Sequence, residues 1–418
     1  MMIPLEEAVA VVVDGCDPLP PRRLAVAAAQ GCVLAGDVYA TEPVPAFANT
    51  AMDGYAVRAS DVATVPAELP VAAEIAAGHP AKAPLEPGQA MRIFTGAPLP
   101  DGADAVVMVE RTERLEGGAR VVILDSVPPG NHVRPAGDDL RPGDRVAGPG
   151  DELTPGRLGV LRSLGVGEVV AYPRPWVGVL STGDELVDGA EPLHVGQVRD
   201  TNRPTLLALL AEAGFEPVDL GHVRDDEAAI GAAVEEGIAR CDALLSSGGV
   251  SMGDTDLVKV VLDRLATAER APMRWMQVAI KPAKPLAFGV IDCGGRRVPA
   301  FGLPGNPVSA MVSFELFARP GLRRLAGHPD DRLRRVALRG TTAAAIERHP
   351  DGKTHFVRVV ARVDDGDLVV WPLAGQGSHQ LSAMANANAL AVVPDGSGVA
   401  AGSAVDVLLL RDVDHVPA

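Results

Sequence analysis

Between Trp176 and Gly327 short apolar runs alternate with stretches of helical period, and this alternation restricts the fold more than any other feature. Residues 177–180, 217–223, 243–245, 276–280, 286–290 and 298–301 read as strands. Residues 205–213, 227–239, a stretch ending near 266, and 308–317 read as helices. A βαβα order predicts a mostly parallel sheet covered on both faces. Such sheets bind ligands at the carboxyl ends of their strands. The polar loops fall at those ends: Thr182 to Glu185, Asp225, Ser247 to Asp256, and Gly302 to Ser309.

The loop after the 243–245 strand is Ser246-Ser247-Gly248-Gly249-Val250-Ser251-Met252-Gly253-Asp254-Thr255-Asp256. A glycine-rich loop opening a helix exposes backbone N–H groups that can hold an anion. Carboxylates beside a phosphate repel it unless a cation lies between them, which points to a divalent metal such as Mg2+. Asp254 as an N-cap and Asp256 as a favourable charge at the helix start fit the same residues. Asp184, Glu185 and Asp225 add carboxylates. Lys281 and Lys284 stand in Ile280-Lys281-Pro282-Ala283-Lys284-Pro285, where the prolines stiffen the loop. There is no Walker A sequence, no dinucleotide fingerprint opening a βαβ unit, no serine elbow and no Cys/His pair. The residues alone lead to a metal-assisted enzyme, or binder, of a phosphorylated small molecule.

The flanking regions read differently. Residues 4–14 and 153–165 are helical in pattern, and Pro173-Arg174-Pro175 reads as a linker. From 57 to 146 short strands and turns suggest a small β-rich or barrel-like domain. Asp53-Gly54 reads as a turn before a strand, Arg92 to Pro98 puts Thr95 at a strand end, and Gly137 to Leu140 places Asp138 and Asp139 in a turn. From Arg334 short strands return, interrupted by Gly375-Gln376-Gly377-Ser378-His379. A length of 418 residues suits about three domains. The net charge of −16 and the 3% aromatic content argue against nucleic acid as a partner. Cys16, Cys32, Cys241 and Cys293 are far apart, so buried free thiols are expected. No apolar run spans a membrane and no signal peptide is read, so a cytoplasmic location is expected.

Asn49 to Ala56, Arg92 to Pro98, Gly137 to Leu140, Ser181 to Leu186, Asp200-Thr201-Asn202, Ser246 to Asp256, Lys281 to Pro285 and Gly302 to Ser309, in this order, resemble the MoeA family of molybdopterin molybdenumtransferases, relatives of the C-terminal domain of gephyrin. The resemblance implies an αβα, MogA-like, mostly parallel sheet domain at 176–327 in an α/β and β multidomain chain. A linking α+β domain at 1–46 with 142–175, a β-rich domain at 47–141 and a C-terminal β domain at 328–418 flank it. It implies Mg2+-dependent insertion of molybdate into adenylylated molybdopterin with release of AMP. It also implies a homodimer with a shared active site, where Asp53, Thr95 and Asp139 face the α/β loops of the other subunit.

Glu185, Asp225 and Asp256 would then hold metal or orient the pterin phosphate and molybdate. Thr182, Gly183, Ser247, Gly248, Gly249, Ser251, Lys284, Pro304, Gly305, Asn306 and Ser309 would cradle the pterin, with Lys281 and Ser378 for oxyanion contact. Molybdopterin adenylyltransferase and downstream molybdoenzymes are implied partners. A non-catalytic carrier of the pterin and a tungstate-inserting enzyme are alternatives within the same resemblance. Three positions depart from the family pattern: Ala283 for glycine, His132 for asparagine, and Pro135-Ala136 for residues that can be basic.

Overall fold

The computed structural model describes residues 2–248, 257–265 and 273–415. Gly249, Ser251, Asp254 and Asp256 fall outside them. The chain forms two compact units: Met1–Arg23, Gly31–Ala35 and Val170–Ala418 in one, Leu24–Gln30 and Gly36–Val169 in the other.

The larger unit is built on a six-stranded sheet in the order Glu216–Val223, Trp176–Thr182, Ala243–Ser247, Arg296–Leu303, Pro285–Cys293, Arg274–Gln277. The first four strands are mutually parallel. The last two run antiparallel to their neighbours. The reason is local: Cys293 pairs with Arg296, and Gly294 and Gly295 between them both have positive φ. A two-residue loop of that geometry makes a hairpin, whereas a parallel neighbour needs a crossover of a dozen residues.

Strand period 2 sorts the core into two layers. Leu245 packs with Leu206, Leu210 and Val312 on one face. Leu244, its chain neighbour, packs with Ile230, Val234 and Val261 on the other. Helices Asn202–Glu212 and Pro307–Ser313 therefore cover one face, and Glu227–Arg240 and Leu257–Leu265 the other. Truncating Leu244 or Leu245 to alanine would cost about 2–5 kcal/mol. Asp226 caps the third of these helices through the Ala229 N–H at 2.8 Å.

Carboxyl-terminal to this sheet, Thr354–Asp364, Asp367–Pro372, Ala337–Thr342, Ala404–Leu409 and Ala389–Val393 close on themselves as a five-stranded barrel. The short strand Ile280–Lys281 joins its edge in parallel with Thr354 and His355. That pairing brings the lysine loop to the barrel.

In the smaller unit a six-stranded sheet runs Ala105–Met108, Gly54–Val57, Ala90–Ile93, Ala67–Ile75, Arg120–Ile123, Thr112–Leu115. Gly54 begins a strand rather than forming a turn. A Cβ there would lie 2.1 Å from the Val107 carbonyl oxygen, so only glycine fits the strand pairing. Three cysteines are buried and free, but Cys293, at the hairpin end, is exposed, contrary to the expectation for all four.

Candidate functional site

Three parallel strands end in register. Ser181 pairs with Ser247, and Ser247 with Leu303. The loops that leave them are tied by one side chain: Asn202 Nδ2 donates to Ser247 Oγ and to the Gly305 carbonyl, each at 2.7 Å. Gly248 has φ +94, and a Cβ there would meet the Thr182 carbonyl oxygen at 3.0 Å, so glycine lets the two loops approach. A cavity of about 460 Å³ opens over these ends, lined by Thr182, Glu185, Asn202, Ser247, Gly248 and Gly305.

On the wall of this cavity Ser181 Oγ donates to buried Asp200 at 2.5 Å. Arg203, also buried, reaches Asp200 at 3.0 Å, Asp219 at 2.6 Å and Asp188. Asp200 and Asn202 belong to a motif visible in sequence, but Arg203 carried no sequence signal of its own.

A second cavity, about 640 Å³, adjoins the first through Asn306 and His379, which line both. It is basic, with Lys281, Lys284 and Lys353 on its wall together with Ser309 and Ser378. Lys353 was missed in sequence because it lies in a loop with no motif. Asp351 fixes it, accepting from Lys353 Nζ at 2.9 Å, from His355 at 3.2 Å and from Arg348 at 2.7 Å. The Lys353 hydrogen bond, aided by His355, holds the Asp351 carboxyl well below the usual range. The Ser378 carbonyl accepts from the Val308 N–H at 3.1 Å, which pins the glycine turn to the start of the Pro307–Ser313 helix. Ala283 has φ +73, the left-handed region that glycine would take at least cost. Its methyl is 2% exposed and packs into the apolar core. The departure from glycine is thus accommodated away from solvent.

Glu185 and Asp225 stand exposed on neighbouring loops, which are joined by the Asp225 N–H donating to Asp184 Oδ1 at 3.3 Å. A Cβ on Gly183 would lie 2.5 Å from Glu185 Oε2, so this carboxylate rests on glycine. Among the described residues no three His, Cys, Asp or Glu side chains are grouped closely enough to hold a metal. Glu185 and Asp225 nonetheless supply only oxygen donors, a set that fits Mg2+ better than a softer ion. Asp256, the third acid expected there, is not among the described residues. Pro304 is buried at the end of its strand, and Gly305 and Asn306 are exposed beyond it.

In the smaller unit Asp53 and Thr95 meet directly. Thr95 N–H and Oγ1 donate to Asp53 Oδ1 at 2.8 and 2.7 Å. The backbone bond and then the hydroxyl bond hold this carboxyl below its ordinary pKa. Arg92 stacks over Tyr55 and Phe94, 5.1 and 5.0 Å from the ring centres. Asp139 is exposed, and its backbone N–H donates to Val44 at 2.9 Å. Among the described residues its side chain bonds neither Asp53 nor Thr95. His132 has φ +51, and its carbonyl accepts from Ala51. Both departures at single residues thus fall on left-handed backbone.

Fold and site define an α/β protein with polar cavities at the carboxyl edge of a parallel sheet. Residues 3–165 match the family described as MoeA N-terminal region (domain I and II), 178–324 the probable molybdopterin binding domain, and 340–410 the MoeA C-terminal region (domain IV). The molybdopterin molybdenumtransferase 2 of Mycobacterium tuberculosis is 37% identical over 413 residues, covering 96% of this chain and 97% of the relative. The molybdopterin molybdenumtransferase of a Nostoc species is 38% identical over 398 residues, covering 92% and 87%. A crystal structure of the molybdopterin biosynthesis MoeA protein from Pyrococcus horikoshii OT3 superposes with a TM-score of 0.76 at 28% identity, covering 98% of this chain and all of the other. The chain belongs to the MoeA family of molybdopterin molybdenumtransferases. No helix among the described residues is long and apolar enough to cross a membrane.

Proposed function

We propose that this chain inserts molybdate into adenylylated molybdopterin and releases AMP, with Mg2+ required. One observation carries the reading: a polar cavity with carboxylates at its rim adjoins a basic cavity through Asn306 and His379. A pterin bearing a phosphate anhydride and a tetrahedral oxyanion are both anionic, and they must be held side by side to react. Adjacent sites convert that encounter into a local event, which can contribute several kcal/mol to the barrier.

Thr182, Ser247, Gly248, Gly305 and Asn306 would seat the pterin end, with Gly249 and Ser251 continuing the same loop. Lys281, Lys284, Lys353 and Ser378 would hold the oxyanion. Glu185, Asp225 and Asp256 would hold Mg2+, which when bound neutralises charge on the anhydride. The chain's part is then positioning and charge balance, since no covalent nucleophile is called for.

We further propose a cytoplasmic homodimer in which Asp53, Thr95 and Asp139 of one subunit complete the site of the other. Supply of the nucleotide-capped pterin by an adenylyltransferase follows from its chemistry. The test is molybdate-dependent AMP release from adenylylated pterin by Asp53→Ala and Glu185→Ala. Loss of release with the fold intact supports the reading, and full activity in both overturns the residue assignment. Running molybdate and tungstate in parallel decides which oxyanion is preferred.

A further inference from the structure

The strand Glu216–Val223 carries an extra residue against its neighbour Trp176–Thr182. Val179 pairs with Asp219 but Ser181 pairs with His222, so two steps on one strand match three on the other. Gly221, at φ +83, absorbs the difference, and its N–H donates to Asp219 Oδ1 at 2.8 Å. A side chain's face follows its register, so the bulge turns over the residues beyond it. Leu220 and Val223, three positions apart, accordingly pack in the same layer as Leu244. His222, paired with Ser181, is turned to the opposite face, which a regular strand would not have given it.

There His222 Nε2 meets the Gly183 carbonyl at 2.7 Å. A carbonyl only accepts, so Nε2 carries the proton and donates. The same carbonyl accepts from the Leu186 N–H at 3.1 Å, which closes the turn that carries Asp184 and Glu185. The Glu185 carboxylate rests on Gly183 itself. Three residues beyond His222, the Asp225 N–H donates to Asp184 and ties the same two loops again. Glu185 and Asp225 are both exposed and carry like charges, which repel. A small divalent cation demands near-ideal octahedral geometry, so carboxylates on separate loops serve it only if something holds the loops together.

We infer that His222, re-aimed by the Gly221 bulge, is a positioning residue for the divalent cation: its ring clasps the Gly183 turn and sets the spacing of Glu185 and Asp225. The inference rests on the reading of those two acids as Mg2+ ligands.

The test is titration of the full chain with Mn2+, an ion of the same oxygen-ligand class, its free form counted by electron paramagnetic resonance. His222→Leu should weaken Mn2+ binding by about fivefold, the worth of one hydrogen bond, while circular dichroism stays unchanged. Two amide variants separate reach from polarity. The amide nitrogen of His222→Gln takes the place of Nε2 and reaches the carbonyl, so this variant should bind within about twofold of the wild type. His222→Asn is shorter and cannot reach, so it should be as weak as His222→Leu. Wild-type affinity in His222→Leu or His222→Asn would overturn the inference, and so would His222→Gln as weak as His222→Asn. Should His222→Leu not fold, the two amide variants decide by themselves. Glu185→Ala separates the two readings. If it binds Mn2+ like the wild type, the metal assignment itself fails; if it is weakened while His222→Leu and His222→Asn are not, only the role of His222 fails.

Discussion

Thr95 donates twice to a single oxygen of Asp53, from its backbone N–H at 2.8 Å and from its hydroxyl at 2.7 Å. The pair joins two loops 42 positions apart and keeps the carboxylate ionised with one oxygen still available. Hydrogen bonds to the charged form lower a carboxyl pKa, and the folded value is indeed below the ordinary one. Its small contribution to stability is therefore present above the usual carboxylate pKa and fades as pH falls through the depressed value. Thr95→Val removes the hydroxyl bond and keeps the backbone one. The Asp53 pKa, read by NMR titration, should move up part of the way to its ordinary value. An unchanged value would mean the hydroxyl does not reach Asp53 in solution.

Arg203 predicts the largest loss of stability. It is 8% exposed and bonds Asp188, Asp200 and Asp219, of which Asp200 is itself buried. Removing the guanidinium leaves a buried carboxylate without its cation, which costs about 3–5 kcal/mol. Arg203→Met should therefore lower the unfolding free energy, read from urea titration, by that amount. Because Asn202 is the next residue and ties Ser247 to Gly305, pterin affinity should fall as well. A variant with wild-type stability would show that the three acids are satisfied by water.

The sheet and its ligand edge were legible because strand and helix periods alternate from Trp176 onwards and the polar loops fall at strand ends. Leu244 and Leu245 show why: adjacent apolar residues that face opposite layers are the signature of a strand buried on both sides. The antiparallel edge did not follow from the βαβα pattern, because its cause is the Gly294-Gly295 hairpin between two strands with no helix between them. His222 and Lys353 were missed for a different reason. Nothing in the 217–223 stretch says that a bulge turns one histidine to the other face, and Lys353 gains its place only through Asp351 and the barrel edge. Gly54 was read as a turn glycine, but its requirement comes from a carbonyl more than fifty positions away in sequence.

Ala283 predicts a near-cancellation. Left-handed backbone costs a non-glycine residue about 1–2 kcal/mol. Against that, glycine would lose about 0.8 kcal/mol of methyl burial and about 0.4–1 kcal/mol through a freer unfolded chain. Ala283→Gly should leave stability within about 0.5 kcal/mol of the wild type. Ala283→Val combines a β-branched residue at φ +73 with a site already 2% exposed, and should cost more than about 2 kcal/mol. Chemical denaturation of both variants checks the pair of values. A clear stabilisation by glycine would mean that the methyl contributes nothing to the core.

His328 predicts a pH dependence of stability. It is buried, its Nδ1 accepts from Arg323 Nη2 at 3.1 Å, and so it is held neutral. Burial, with the charges of Arg323, Arg319 and Arg332, pushes its pKa down to about 3 from 6.5. Between those values the unfolded chain carries a proton that the folded chain refuses. Unfolding then takes up a proton, so stability rises with pH in this window and is lost as pH falls from 6.5 towards 3. One such group contributes a slope of at most about 1.4 kcal/mol per pH unit. His328→Gln keeps an acceptor for Arg323 and cannot titrate. Denaturation curves of wild type and variant, taken between neutral pH and mild acid, should diverge by that slope, the variant falling less steeply. Parallel curves would show that His328 is protonated in the folded protein or reached by water.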